Sequence, residues 1–135
     1  VARDLAAAAP ARPLSPLCQS RARAVAIGGG QSVGAGRFAR AAGDKRAWRN
    51  SPDADIATMD LALGLVDELL LGRGEAADLL AISLSATDFV GHTYGTGGSE
   101  MCLQLAVLDA QLGRLFGRLG ALGIDYAAVL TGDHG

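Results

Sequence analysis

Apolar residues recur at helical spacing in the segment that follows residue 50. Steps of three and four residues alternate there, which is typical of one face of an amphipathic helix. Ser51-Pro52-Asp53 predicts its start, because it supplies a capping side chain, a proline in the first turn and an acid near the positive end of the helix dipole. Gly72-Arg73-Gly74 predicts its end. The apolar positions are Ile56, Met59, Leu63, Val66 and Leu70.

A second segment with the same spacing begins at Ser99-Glu100 and runs to Gly120. Its apolar stripe predicts another packing helix, and we assign no chemistry to either stripe. The members of this stripe are Met101, Leu105, Leu108, Leu112, Leu115 and Leu119.

Two short, almost continuously apolar runs flank the second helix. Leu79–Leu84 and Tyr126–Leu130 are typical of strands that are buried on both faces of a parallel sheet. A strand, a helix and a strand in this order predict a right-handed crossover between parallel neighbours. The expected fold class is therefore α/β, with a parallel-sheet core and flanking helices.

The first fifty residues are harder to interpret. Pro10, Pro13 and Pro16 disfavour a continuous helix, and Ala22–Ile27 is a run that fits a strand or a loop. We expect residues 1–50 to be an Ala-, Pro- and Gly-rich segment of a larger domain, and residues 51–135 to be part of an α/β domain. The chain begins at Val1 and stops directly after a charged pair, so both ends are expected to be cut.

Composition excludes some partners. The 135 residues include 12 basic and 14 acidic side chains, and a formal charge of −2 favours neither nucleic acid nor an anionic membrane surface. No apolar run is long enough to span a bilayer, and the start of the chain does not have the pattern of a signal peptide. Cys18 and Cys102 show no metal-binding or CxxC spacing, which favours two small buried apolar residues.

The two histidines of the chain both lie near an aspartate at the end of a predicted strand. Asp88 and His92 follow the first strand, and Asp133 and His134 follow the second. Ligand sites of open α/β sheets lie at the carboxyl ends of the strands, and carboxylate oxygen together with imidazole nitrogen suits Zn²⁺. The four side chains are therefore predicted metal ligands facing one cavity. The alternative is an Asp–His hydrogen bond in each loop, with no metal.

Two further features offer competing interpretations. Gly30-Gln31-Ser32-Val33-Gly34 matches the nucleophile elbow G-x-S-x-G, so Ser32 with Asp88 or Asp133 and His134 would make a serine esterase of the α/β-hydrolase type. Such a short glycine-rich pattern arises easily by chance, and it leaves His92 unexplained. A basic cluster before residue 51 favours a solvated helix face over a phosphate contact. Its members are Arg37, Arg40, Lys45, Arg46 and Arg49.

The segments Ala86–His92 and Val129–Gly135, separated by one helix, resemble the type I phosphodiesterase and nucleotide pyrophosphatase branch of the alkaline phosphatase superfamily. Within that branch the likeness is to bacterial secreted alkaline phosphatases. The resemblance implies an alkaline phosphatase-like fold and two zinc ions, one held by Asp88 and His92 and the other by Asp133 and His134. It also implies a periplasmic or secreted protein that acts on small-molecule phosphoesters, either monoesters or diesters.

The mechanism implied by the resemblance is double displacement through a phosphorylated threonine or serine. The family places this nucleophile and a further aspartate upstream, and a third histidine downstream, and none of them is found in this chain. We therefore expect the isolated chain to be inactive. The remaining alternative is a non-catalytic α/β fragment, and metal stoichiometry distinguishes it from the enzyme.

Overall fold

The computed structural model of the chain describes residues 5–34, 36–132 and 134. Within these described residues, two β-strands and four α-helices follow a short 3-10 helix. In chain order they are the 3-10 helix Pro16–Arg21, β1 Val25–Gly28, β2 Gln31–Val33, α1 Lys45–Arg49, α2 Pro52–Glu68, α3 Ala86–Tyr94 and α4 Ser99–Ala121.

Helices α2 and α4 confirm the two predicted amphipathic helices in type and position. Two stripe members are wrong, because Leu70 lies beyond the end of α2 at Glu68 and Leu105 is 50% exposed. The Ser51 hydroxyl accepts the Asp53 backbone N–H at 3.3 Å, so α2 begins at the predicted cap. The apolar stripes of the two helices face each other, and Met59 and Ala62 of α2 pack with Leu115 of α4 in a buried cluster. This pair of helices also receives Leu80, Ile82 and Leu84 on the same cluster.

The predicted parallel pair of strands is not confirmed. Within residues 5–34, 36–132 and 134, the only sheet is the antiparallel hairpin of β1 and β2, with Val25 opposite Val33. Leu79–Leu84 is extended without strand pairing, and its side chains alternate: Leu80, Ile82 and Leu84 pack on α2 and α4, while the intervening residues are exposed.

The second predicted strand, Tyr126–Leu130, is also unpaired in the described part of the chain, and Val129 is 92% exposed. The physical reason is that strand pattern alone does not form a sheet. A strand that is buried on both faces needs hydrogen-bonding neighbours and two covering layers. The described residues cover one face of the first run and leave most of the second in solvent.

A disulfide joins the first fifty residues to the helices. Cys18 of the 3-10 helix is bonded to Cys102 in the first turn of α4, with Cα atoms 5.6 Å apart. This corrects the interpretation of the two cysteines as separate apolar residues. With a sequence separation of 84 residues, no local pattern indicated that they lie close together. Around the disulfide lies a second core cluster, in which Val90 of α3 is fully buried.

No helix in the described part of the chain combines the length and the apolar character that crossing a membrane requires.

Candidate metal centre

Helix α3 presents two of the predicted ligands on one face. Asp88 and His92 are four residues apart, which places their side chains about one turn apart on the same face of the helix. Nε2 of His92 lies 3.2 Å from Oδ1 of Asp88, and the imidazole is 78% exposed. Val90 lies between them in sequence and points into the core, so it anchors the helix while the polar face remains open. The helix itself was not predicted, although the i,i+4 spacing of the two side chains was a usable signal.

His134 approaches the same carboxylate from the other end of the chain. Its Nε2 lies 3.3 Å from Oδ1 of Asp88. The structure therefore brings three of the four sequence-predicted ligands together: Asp88, His92 and His134. The fourth, Asp133, lies outside the described residues.

The three donors are of the types that zinc binds. When each donor lies about 2.0 to 2.1 Å from the ion, two donors of a tetrahedral site are roughly 3.3 Å apart. The two imidazole nitrogens lie at 3.2 and 3.3 Å from the carboxylate oxygen, which is that ligand-to-ligand spacing. Among the described residues, however, no group of three or more His, Cys, Asp or Glu side chains is placed to hold a metal ion. The described donors thus come in pairs that share Asp88, and they do not form a closed shell.

A buried carboxylate supports the start of α3. Oδ1 of Asp55, on α2, accepts the backbone N–H of Ala86 at 3.0 Å, and its Oδ2 accepts Nε2 of Gln104, on α4, at 2.8 Å. Asp55 is 1% exposed. Burial raises the pKa of its carboxyl above the ordinary value, while the two hydrogen bonds act in the opposite direction. Sequence reasoning missed this residue; its signal was a position one turn before Met59 on the buried face of α2.

The other end of α3 is held by α1 and the residue after it. Nδ2 of Asn50 donates to Oγ1 of Thr93 at 2.8 Å, and the Arg49 guanidinium lies 4.6 Å from the centroid of the Phe89 ring. The helix then ends because Gly95 adopts a positive φ of 73°, which favours glycine.

The basic cluster does not form one surface. The Arg40 side chain is 5% exposed and pairs with Asp53, which also receives Arg12. Lys45, Arg46 and Arg49 are exposed on α1. The expectation of a solvated face therefore holds for these three residues and is wrong for Arg40.

Ser32 is not at a nucleophile elbow. An elbow is a sharp turn between a strand and a helix, whereas Ser32 lies within β2 and pairs with Ala26 across the hairpin. The esterase interpretation lacks its required geometry.

The sequence profile of the type I phosphodiesterase / nucleotide pyrophosphatase family matches residues 18–135, a region that contains both Asp/His motifs. This match confirms the resemblance carried by those motifs.

Individual relatives agree with the profile. The chain is 49% identical over 124 residues to alkaline phosphatase PhoD of Zymomonas mobilis subsp. mobilis, covering 91% of this chain and 22% of that protein. It is 49% identical over 107 residues to alkaline phosphatase PhoK of Sphingomonas sp, covering 79% and 19%. For alkaline phosphatase PhoV of Synechococcus elongatus the identity is 35% over 86 residues, covering 62% and 16%. The chain therefore spans about a fifth of the length of the curated relatives it matches.

Proposed function

The chain belongs to the type I phosphodiesterase / nucleotide pyrophosphatase family, and on that premise we propose that the complete protein is a zinc-dependent phosphoester hydrolase. The observation that carries this proposal is the convergence of His92 and His134 on one carboxylate oxygen of Asp88, at 3.2 and 3.3 Å. His92 and His134 are 42 positions apart in sequence, and both approach the same carboxylate.

Four residues would hold the two ions. Asp88 and His92 are assigned to one, and Asp133 and His134 to the other. Bound zinc would supply Lewis-acid stabilisation of charge on the phosphoryl oxygens and would lower the pKa of a coordinated hydroxyl group. The proposed substrate is a small phosphomonoester or phosphodiester, and no threonine or serine of this chain is assigned as the nucleophile.

The residues of the chain contribute position and charge. The Asp88 carboxylate offers oxygen donors, and each histidine turns Nε2 towards it. An imidazole that bound zinc through Nε2 would carry its ring proton on Nδ1, whereas one that hydrogen-bonds to the carboxylate donates from Nε2. The exposed side of α3 leaves the ligands accessible to a substrate, while Val90 on its other side fixes the helix in the core.

The disulfide supports an oxidising location. Disulfides persist in secreted and periplasmic proteins and are rare in reducing compartments. Cys18–Cys102 is largely shielded, since Cys18 is fully buried. We therefore assign the protein to the periplasm or the extracellular space.

Ligand substitutions in the complete protein test the assignment. We expect His134→Ala and Asp133→Ala to lose most of the turnover of p-nitrophenyl phosphate after chelation and zinc reconstitution. Each substitution removes a proposed ligand of the ion that would stabilise negative charge on the phosphoryl group. Asp60→Ala is the control: it removes an exposed acid that pairs with Arg114 on the helix surface, and should retain activity. Wild-type turnover by the two ligand variants would rule the assignment out.

A non-catalytic role is the second candidate, and the direct Asp–His contacts favour it. Both imidazoles lie within hydrogen-bonding distance of Asp88, so a metal is not needed to explain their positions. Zinc stoichiometry separates the two functions: the hydrolase should bind two ions per chain, and the non-catalytic protein none.

A further inference from the structure

A charged side chain is buried where the helices α2, α3 and α4 meet. Asp55 and Gln104 are 1% and 0% exposed, and both lie on faces that otherwise pack apolar residues. Burying a carboxylate is costly unless its oxygens are fully hydrogen-bonded. Both oxygens of Asp55 are used, one by Ala86 of α3 and one by Gln104 of α4.

The hydrogen bond to Ala86 replaces a local cap. Ser85, at the cap position of α3, makes no side-chain capping hydrogen bond. The first N–H groups of a helix have no partner within the helix, and an anion is favoured at that end by the dipole. Asp55 supplies both the acceptor and the negative charge from a different helix, at 3.0 Å from the amide nitrogen.

Gln104 ties the same turn to α4. Its Nε2 donates to Asp55 at 2.8 Å and to Oγ1 of Thr87 at 3.2 Å. Its Oε1 is buried and has no hydrogen-bond partner. If the amide group of Gln104 were turned over, its oxygen would face the carboxylate of Asp55, and two acceptors would meet. The orientation of Gln104 therefore follows from its hydrogen bond to Asp55.

The supported turn is the one that carries the metal ligand Asp88. Ala86 precedes Asp88 by two residues, and His92 follows one turn later on the same face. We propose that Asp55 is a positioning residue for the metal centre: it fixes the first turn of α3 so that Asp88 meets His92 and His134. This inference rests on the proposed function, because it presumes that the Asp88 side chain binds zinc.

The test measures zinc affinity of the complete protein by competition with a chelator. Residues that hold a ligand in place typically change metal affinity by roughly 10- to 100-fold when they are removed. We expect Asp55→Ala to weaken zinc binding by at least about tenfold on this basis. The visible spectrum of the cobalt-substituted protein should also change, since the ligand geometry shifts. Asp55→Asn retains an oxygen that can accept from Ala86, and should recover most of the affinity.

Met59→Ala is the matched control. Met59 lies on the same helix, one turn further on, and is fully buried in the cluster with Leu115. Its truncation removes apolar contacts of that cluster and leaves both hydrogen bonds of Asp55 in place, so zinc affinity and the cobalt spectrum should remain those of the wild type. If Asp55→Ala does not fold, Asp55→Ser takes its place, because its short hydroxyl does not reach the Ala86 amide.

The possible results distinguish the positioning role of Asp55 from the proposed function. Wild-type zinc affinity in Asp55→Ala or Asp55→Ser, or an equal loss in Met59→Ala, would overturn the positioning role and leave the proposed function intact. Unchanged zinc affinity in Asp88→Ala would overturn the proposed function, and the positioning role with it.

Discussion

At the scale of single residues, Asp55 gives the protein a pH dependence that can be measured. Burial raises the pKa of this carboxyl above its ordinary value of 3.8. Between that value and the raised one, the native protein holds a proton that the unfolded chain has released. The free energy of unfolding therefore falls as the pH rises through this window.

We expect wild-type protein to lose stability relative to Asp55→Asn as the pH rises from 3.8 to the raised pKa of Asp55, because the variant has no proton to release there. Urea unfolding of both proteins at a series of pH values measures the difference. A wild type that gains stability relative to the variant over this range would contradict the raised pKa.

The proximity of Asp88, His92 and His134 could be predicted from sequence, and the residues that support this cluster could not. Asp88 and His92 lie four residues apart, and His134 belongs to a second Asp/His motif, so both motifs can be recognised in the sequence. Asp55 looked like an acid near a helix start, and only packing of α2 against α3 and α4 shows that it is buried and shared. Such contacts between distant residues leave no local pattern.

At the scale of elements, the long helices could be predicted and the two parallel strands could not, although β1 overlaps the run Ala22–Ile27 that fits a strand. The stripes of α2 and α4 each run over several turns, and α2 also has its own Ser51 cap, so local signals suffice. Leu79–Leu84 has the composition of a strand, yet its hydrogen bonds depend on neighbours that the described residues do not supply. Helix α3 is short, and its first turn is capped by Asp55 of α2. The local sequence of α3 therefore lacks the capping signal that would predict its start.

The disulfide carries a prediction at this scale. It closes a loop with a sequence separation of 84 residues and attaches the 3-10 helix to α4. Loop-closure entropy for such a bridge is worth about 4.5 kcal/mol, and removal of native disulfides typically costs roughly 2 to 5 kcal/mol. We expect reductant to lower the free energy of unfolding by roughly 2 to 5 kcal/mol, as measured by denaturant titration.

The double variant Cys18→Ala with Cys102→Ala is the control, because it should match the reduced wild type and not respond to reductant. Identical unfolding midpoints for the oxidised wild type and the double variant would show that the bridge does not stabilise this chain.

At the scale of the whole molecule, the account joins family membership to one cluster of side chains. The family profile covers residues 18–135, and the chain spans about a fifth of the length of its curated relatives. The α/β fold class follows from the family, whereas the parallel sheet predicted from Leu79–Leu84 and Tyr126–Leu130 is not formed by the described residues. The hydrolase function therefore depends on whether the Asp/His cluster binds metal.

Removal and return of zinc test that claim most directly. The complete protein is stripped with a chelator, dialysed, and titrated with zinc while bound metal and turnover of p-nitrophenyl phosphate are measured together. We expect turnover to disappear in the stripped protein and to return as two zinc ions bind per chain. Full turnover by protein that contains no measurable divalent metal would contradict the account.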